Sequence, residues 1–285
     1  MDHAVVSPSV GPEQPCFPRG IIHREFPQFC FLLCFFHRAT VEPSSPADYF
    51  GRGKDPAYRS NTMTRLRRHR TLTLQQRSRE LHPQELIRVG GWEQHFGKSG
   101  DLWLEVGTGK DTHIIERSLK FHDALHVGIE VTRKKFEMML RKADARFSEQ
   151  PTDPNNLRLL HADAFQAVEA CFGEHSLKGA FILFPDPWPK KRHSARRLLQ
   201  KSFLQLVARK LAPEGILEIR TDDPDYAVQA SEALAEIPIL KSLTGSSSWI
   251  EQPLDPESHV ETLFESKFRK RGLKIHHFYL SRTES

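Results

Sequence analysis

From Asp101 onward the chain repeats one unit, a short apolar run of strand character followed by a longer stretch with helical spacing. LWLEV (102–106) precedes 111–121, LHVGIE (125–130) precedes 132–149, LRLLHA (157–162) precedes 164–172, KGAFILF (178–184) precedes 195–211, and GILEIR (215–220) precedes 224–236. Near-continuous apolar runs suit strands covered on both faces, and parallel neighbours need a long crossover between them. Five strand–helix pairs in series therefore predict an α/β fold, with helices on both faces of a mostly parallel sheet. A last strand, Leu273 to Leu280, follows an expected helix at 261–271 and takes a neighbour from Pro238 to Leu243, which makes seven strands. Such a sheet holds its ligand at the carboxyl ends of its strands, so the residues that close each strand are the first place to look for chemistry.

Charge and cysteine placement divide the 285 residues. Residues 1–62 hold six of the 41 Lys and Arg and six of the 36 Asp and Glu, so the net charge of +5 lies entirely beyond them. They also hold 8 of the 19 prolines and three of the four cysteines, Cys16, Cys30 and Cys34. The segment reads as a poorly ordered extension, followed by a basic lead-in at 63–100 and the main domain at 101–285. Its apolar run FCFLLCFF (29–36) has eight residues, far short of the roughly 18 of a membrane span. The run gives way to His37-Arg38-Ala39-Thr40 rather than to a signal-peptidase site, which argues against a secretory leader. With Cys171 alone in the body and no metal-ligand spacing, neither a disulfide framework nor a metal site is expected, and a cytoplasmic location fits. Nothing calls for a membrane or an obligatory protein partner, and a monomer is expected. The basic body points to a polyanionic partner.

Strand one closes in Glu105-Val106-Gly107-Thr108-Gly109, and strand two in Gly128-Ile129-Glu130. Glycines let a ligand approach backbone closely, and an acid about 20 residues further on can bond ribose hydroxyls. Two phosphate binders are excluded: a dinucleotide fingerprint needs glycine at Thr112, and a P-loop needs Ser or Thr at Asp111. Glu105, Glu130 and Asp163 (in His161-Ala162-Asp163-Ala164) would repel a pyrophosphate but suit a cationic sulfonium, so S-adenosylmethionine is the better ligand.

After strand four comes Phe184-Pro185-Asp186-Pro187-Trp188-Pro189-Lys190-Lys191-Arg192-His193. Three prolines in five positions fix φ and stiffen a loop that presents a carboxylate beside a flat aromatic face. Those groups can bond a base edge and stack on a base. The cations Lys190, Arg192, Arg196 and Arg197 suit phosphate contacts.

FPDPWPKKRH and its arginine pair, with LEVGTG, GIEV, HADAF, RTDDPDYA (220–227) and ETLFESKFRKRG (261–272), resemble the bacterial tRNA (guanine-N7-)-methyltransferase family over about the last 200 residues. The resemblance implies a Rossmann-like class I methyltransferase sheet. It also implies that Glu105, Gly107, Gly109, Glu130, Asp163 and Asp186 hold S-adenosylmethionine, and that Asp186 is the active-site residue. Lys190, Asp222, Thr262, Leu263, Phe264 and Glu265 would contact the substrate nucleotide, guanosine 46 of the tRNA variable loop. RLRRHRTLTLQQ (65–76) is similar to an Arg-rich segment that precedes the domain in that family. The chain departs at Asp111, where the family's loop continues with glycine or another small residue.

Guanine N7 is a lone-pair acceptor without a proton, so the reaction needs alignment rather than a base. Asp186 could hold guanine's donor edge or stabilise the charge that passes to its imidazole ring. A methyltransferase acting on another RNA or a non-RNA substrate would share the cofactor loops but not need the cations. A non-catalytic RNA binder would need the cations but not Glu105, Glu130 and Asp163.

Overall fold

A computed structural model describes residues 71–89, 91–245 and 248–283; residues 1–62 and the arginines at 65–70 lie outside them. Two short helices, α1 (Pro83–Val89) and α2 (Trp92–Phe96), lead into the repeated units. These are β1 (Leu102–Val106) with α3 (His113–Lys120), β2 (Leu125–Glu130) with α4 (Arg133–Ser148), and β3 (Leu157–His161) with α5 (Ala164–Cys171). Then come β4 (Leu177–Leu183) with α6 (Lys201–Lys210) and β5 (Leu211–Thr221) with α7 (Pro224–Ala235), followed by β6 (Leu240–Ser242), α8 (Leu263–Lys270) and β7 (His276–Arg282).

The seven strands lie in the order β3-β2-β1-β4-β5-β7-β6. The five strands from β3 to β5 pair in parallel, whereas β7 is antiparallel to both β5 and β6. The expected mostly parallel, seven-stranded α/β sheet is thus observed. Strand order reverses between β1 and β4, and this switch point opens a crevice beyond the strand ends. One apolar cluster joins β1, β2, β4 and β5 to α5, α6 and α7. The other packs Ile114 and Ile115 of α3 against Phe136, Met139, Leu140, Ala143 and Phe147, which form a single stripe along α4. All six residues of β2 are buried, and a Cβ on Gly128 would stand 2.7 Å from the Thr108 side chain and 2.8 Å from that of Leu159. That glycine lets the β1 loop lie across β2.

Three local expectations shift. The helix expected over 195–211 divides into a 3-10 turn at Lys191–Arg196 and α6 from Lys201, because Leu199 is fully buried and donates its N–H to the Tyr226 hydroxyl at 2.9 Å. Strand β5 starts four residues early through a bulge: Leu177 faces Leu211, but Gly179 faces Ile216. The last strand begins at His276 rather than Leu273.

The domain boundary also moves. Leu81, Leu86, Trp92 and Phe96 of the lead-in belong to the main core. The Leu81 N–H donates to the Leu159 carbonyl (3.0 Å) and the Leu159 N–H to the Arg79 carbonyl (2.8 Å), so the lead-in covers the outer edge of β3. The folded body therefore begins ahead of 101. Among the described residues no helix is long and apolar enough to cross a membrane.

Candidate active site

A cleft of about 550 Å³ lies at the carboxyl ends of β1, β2, β3 and β4, the size of a small-molecule site. Glu105, Gly107, Gly109, Glu130, Asp163 and Asp186 all line it, as do Thr262 and Phe264. Gly107 and Gly109 take φ of 75° and 62°, a conformation that favours glycine. The N–H groups of Gly107 and Thr108 both donate to the Ile129 carbonyl, at 2.8 and 3.1 Å. Glu130 closes the same turn, its Oε2 accepting from Gly109 N–H at 2.8 Å and its Oε1 from Thr132 N–H at 2.6 Å. Each oxygen keeps further acceptor capacity, so Glu130 can shape the loop and still receive a ribose hydroxyl. Asp163 caps α5 by accepting from Gln166 N–H at 3.1 Å.

Glu105 sits deeper. It is 2% exposed, and its Oε2 lies 2.6 Å from His113 Nδ1. Burial, reinforced by the Asp111 charge, raises its carboxyl pKa to about 8, while burial and then the Arg220 charge lower His113 to about 3. The pair as a unit is uncharged at neutral pH. No spacing rule in the sequence singles out His113, which the strand–helix path alone brings beneath Glu105.

The opposite wall is the proline loop. Asp186 is exposed at the cleft, between Phe184 and Trp188, both non-glycine residues with left-handed φ (49° and 43°). Such a backbone costs on the order of 1–2 kcal/mol per residue and must be held by its surroundings. Here the Phe184 N–H donates to the Arg220 carbonyl at 2.8 Å, and Phe184 packs on Phe268 with ring centroids 5.6 Å apart. Arg196 lies over the Trp188 ring at 5.1 Å, and His193 meets its edge at 5.6 Å.

The expected substrate and phosphate residues separate into two groups. Lys190, Arg192 and Arg196 are exposed beside the loop. Arg197 is instead engaged inside the fold: it donates to the Trp188 carbonyl (3.3 Å) and to Gln229, and lies over the Tyr226 ring. Its guanidinium braces the loop rather than facing an RNA phosphate. Thr262 caps α8, its Oγ1 accepting from Glu265 N–H at 2.8 Å, and the adjoining Phe264 faces the cleft. Leu263 is 54% exposed beside it. Glu265 is 1% exposed, and its carboxylate accepts from Arg220 (2.9 Å) and Arg269 (2.9 Å) and lies 3.2 Å from His259. Burial alone would raise its pKa, but the His259 contact and the Arg220 charge pull it down to about 2. Glu265 thus anchors α8 to β5 and cannot turn its side chain to a nucleotide. Asp222 stands half-buried just past β5, outside the cleft lining, with burial raising its pKa.

A switch-point cleft walled by strand-end carboxylates, on a sheet with one antiparallel strand inserted next to its edge, defines a Rossmann-like class I methyltransferase fold. Residues 99–278 match the family model described as "Putative methyltransferase". The tRNA (guanine-N(7)-)-methyltransferase of Chromohalobacter salexigens is 34% identical over 185 residues, 65% of this chain and 71% of that protein. The enzyme of the same name from Lactiplantibacillus plantarum is 37% identical over 64% of this chain and 81% of its own length. This chain belongs to that family. Among solved structures, a 16S rRNA (adenine(1408)-N(1))-methyltransferase variant from Catenulisporales acidiphilia with cosubstrate SAM superposes with a TM-score of 0.46 at 18% identity, covering 72% of this chain and 92% of that one.

Proposed function

We propose that the chain transfers the methyl group of S-adenosylmethionine to N7 of a guanosine in tRNA, at position 46 of the variable loop. The observation that carries this reading is the facing of two walls across one cleft: Glu105, Glu130 and Asp163 at strand ends, and Asp186 on a braced loop flanked by exposed Lys190, Arg192 and Arg196. The cofactor supplies an electrophilic methyl on a sulfonium cation. The residues fit such a group: the cleft lining carries the carboxyl groups of Glu130, Asp163 and Asp186, Glu130 retains acceptor capacity for ribose hydroxyls, and the glycine loop leaves backbone open to close approach.

For the transfer, this chain's residues align and stabilise; no proton needs to leave N7. Phe264 and Trp188 line the same cleft as Asp186 and offer flat faces, and the target base needs to be held at roughly 3 to 3.5 Å from the methyl carbon, in line with the bond that breaks. Asp186, close to the base, acts in one of two ways: it balances the positive charge that passes to the imidazole ring, or it accepts from guanine's donor edge. The exposed cations carry phosphates and fix the register of the RNA. The chain works in the cytoplasm as a monomer, without an obligatory partner. Incubation with unmodified tRNA and labelled cofactor, followed by nucleoside analysis and cleavage mapping, tests the reading. N7-methylguanosine at position 46 is expected; label on another base or no transfer overturns it.

A further inference from the structure

We propose that Asp111 is a positioning residue that couples the cofactor cleft to the guanine-facing start of α8. The inference rests on the cleft being an S-adenosylmethionine site. Asp111 is 6% exposed, and its carboxylate spans two elements far apart in sequence. Oδ1 accepts from Thr112 N–H (2.7 Å) and His113 N–H (3.2 Å) at the start of α3, while Oδ2 accepts from Phe264 N–H (3.3 Å) in the first turn of α8. Helix N-termini present orphan N–H groups and a partial positive charge, so one carboxylate between two of them is favourable for both. Thr262 takes the Glu265 N–H and Asp111 takes that of Phe264, so α8 is capped once by its own chain and once by the glycine loop. Asp111 and Phe264 both line the cleft, and Phe264 lies 6.3 Å from Phe184 of the proline loop, centroid to centroid.

Ligand occupancy can travel along this connection only if the ligand distinguishes two arrangements of it. Among the described residues no cation pairs with Asp111; only backbone N–H groups hold its carboxylate beside the floor of the cleft. The ammonium of the ligand's amino-acid end, arriving at the glycine loop, places a positive charge beside the carboxylate and fixes it. The bond to the Phe264 N–H, the longest of the three, is then free to tighten and settle the wall against which guanine stacks. Cofactor and tRNA should therefore raise each other's affinity, and reciprocity requires the same factor in both directions.

The full chain, D111N and D111G are titrated with tRNA in the absence and presence of saturating S-adenosylhomocysteine, with melting temperature as the check on folding. Hydrogen exchange of the wild-type amides at 263–266 is followed with and without the same ligand. In the wild type, a gain in tRNA affinity of at least about fivefold is expected, with slowed exchange at Phe264. The gain should fall to less than about twofold in both variants while each still binds tRNA alone. Equal coupling in wild type and variants, no coupling in the wild type, or unchanged exchange at Phe264 overturns the inference. The exchange measurement decides alone if the variants do not fold. A wild type that binds no S-adenosylhomocysteine fails at the earlier step, the reading of the cleft itself.

Discussion

Asp186 and Glu105 are both carboxylates near strand ends, yet one is exposed and the other is buried. Asp186 stands exposed on a loop held by contacts other than its own, so Asp186→Ala should leave the melting temperature unchanged and lower methyl transfer by about 100-fold or more, the scale for loss of a positioned electrostatic group. Single-turnover rates on tRNA check this, and wild-type turnover would remove the residue from the chemistry. Glu105 binds its proton more tightly in the folded protein, since its pKa rises from 4.5 to about 8. That acid therefore contributes most to stability below pH 4.5, and its contribution is lost as pH rises through 8. A sulfonium beside it favours the ionised Glu105 carboxylate while His113, lowered to about 3, stays neutral, so cofactor binding at pH 7 should release a proton, with affinity increasing up to pH about 8 and then levelling. Calorimetry in buffers of different ionisation enthalpy reads the proton directly; binding heats that do not depend on the buffer would show that Glu105 stays protonated. At this scale the placement of Glu130, Asp163 and Asp186 in the cleft lining was legible because each lies at or just past the end of a strand. The burial of Glu265 was not, since its partners Arg220 and His277 are 45 and 12 positions away and meet it only once α8 docks.

Among the elements, α8 depends most on a single ion cluster. Removing the Glu265 charge leaves Arg220, 1% exposed, with Glu218 as its one remaining carboxylate partner among the described residues, so Glu265→Gln should destabilise by about 3–5 kcal/mol. Urea unfolding measures the loss, and an unchanged midpoint would show that the helix docks through its aromatic residues alone. The pKa of Glu265 falls from 4.5 to about 2, so this contribution is full above pH 4.5 and disappears as pH drops towards 2. The proline loop and its 3-10 turn form the second functional element. A triple alanine variant of Lys190, Arg192 and Arg196 should reduce the slope of log tRNA affinity against log salt by about 0.7 to 0.9 for each phosphate no longer neutralised, without changing cofactor affinity. A parental slope would mean that these side chains form only a solvated face. Helical spacing alone could not reveal the break at Leu199, because residues on both sides keep an apolar stripe; the break comes from a tertiary bond to Tyr226.

For the molecule as a whole, strand number and parallel character followed from the serial units, whereas the insertion of β7 between β5 and β6 is a matter of pairing that no local pattern encodes. The lead-in was legible as basic but not as core, since Trp92 and Phe96 carry no strand periodicity and are buried against Phe172 and the sheet. Residues 1–62 have no net charge to offer RNA, so a chain of 63–285 is expected to melt within a few degrees of the full chain and to methylate tRNA at the same rate. A start at 101 should instead yield insoluble protein, because it strips the cover from β3 and removes five core side chains, Leu72, Leu81, Leu86, Trp92 and Phe96. If 63–285 is insoluble as well, the octet at 29–36 belongs to the core.

The pairing of β7 bears on how the molecule comes into being at the ribosome. It is the last of the seven strands to be synthesised, yet it fills an interior place, with β5 on one side and β6 on the other. Until it emerges, the parallel half of the sheet ends in an open β5 edge and β6 has no partner. Emerging chains must keep that edge from pairing with one another, and the methyl-transfer cleft, whose lining includes Thr262 and Phe264 at the start of α8, is complete only after all five parallel strands have been made.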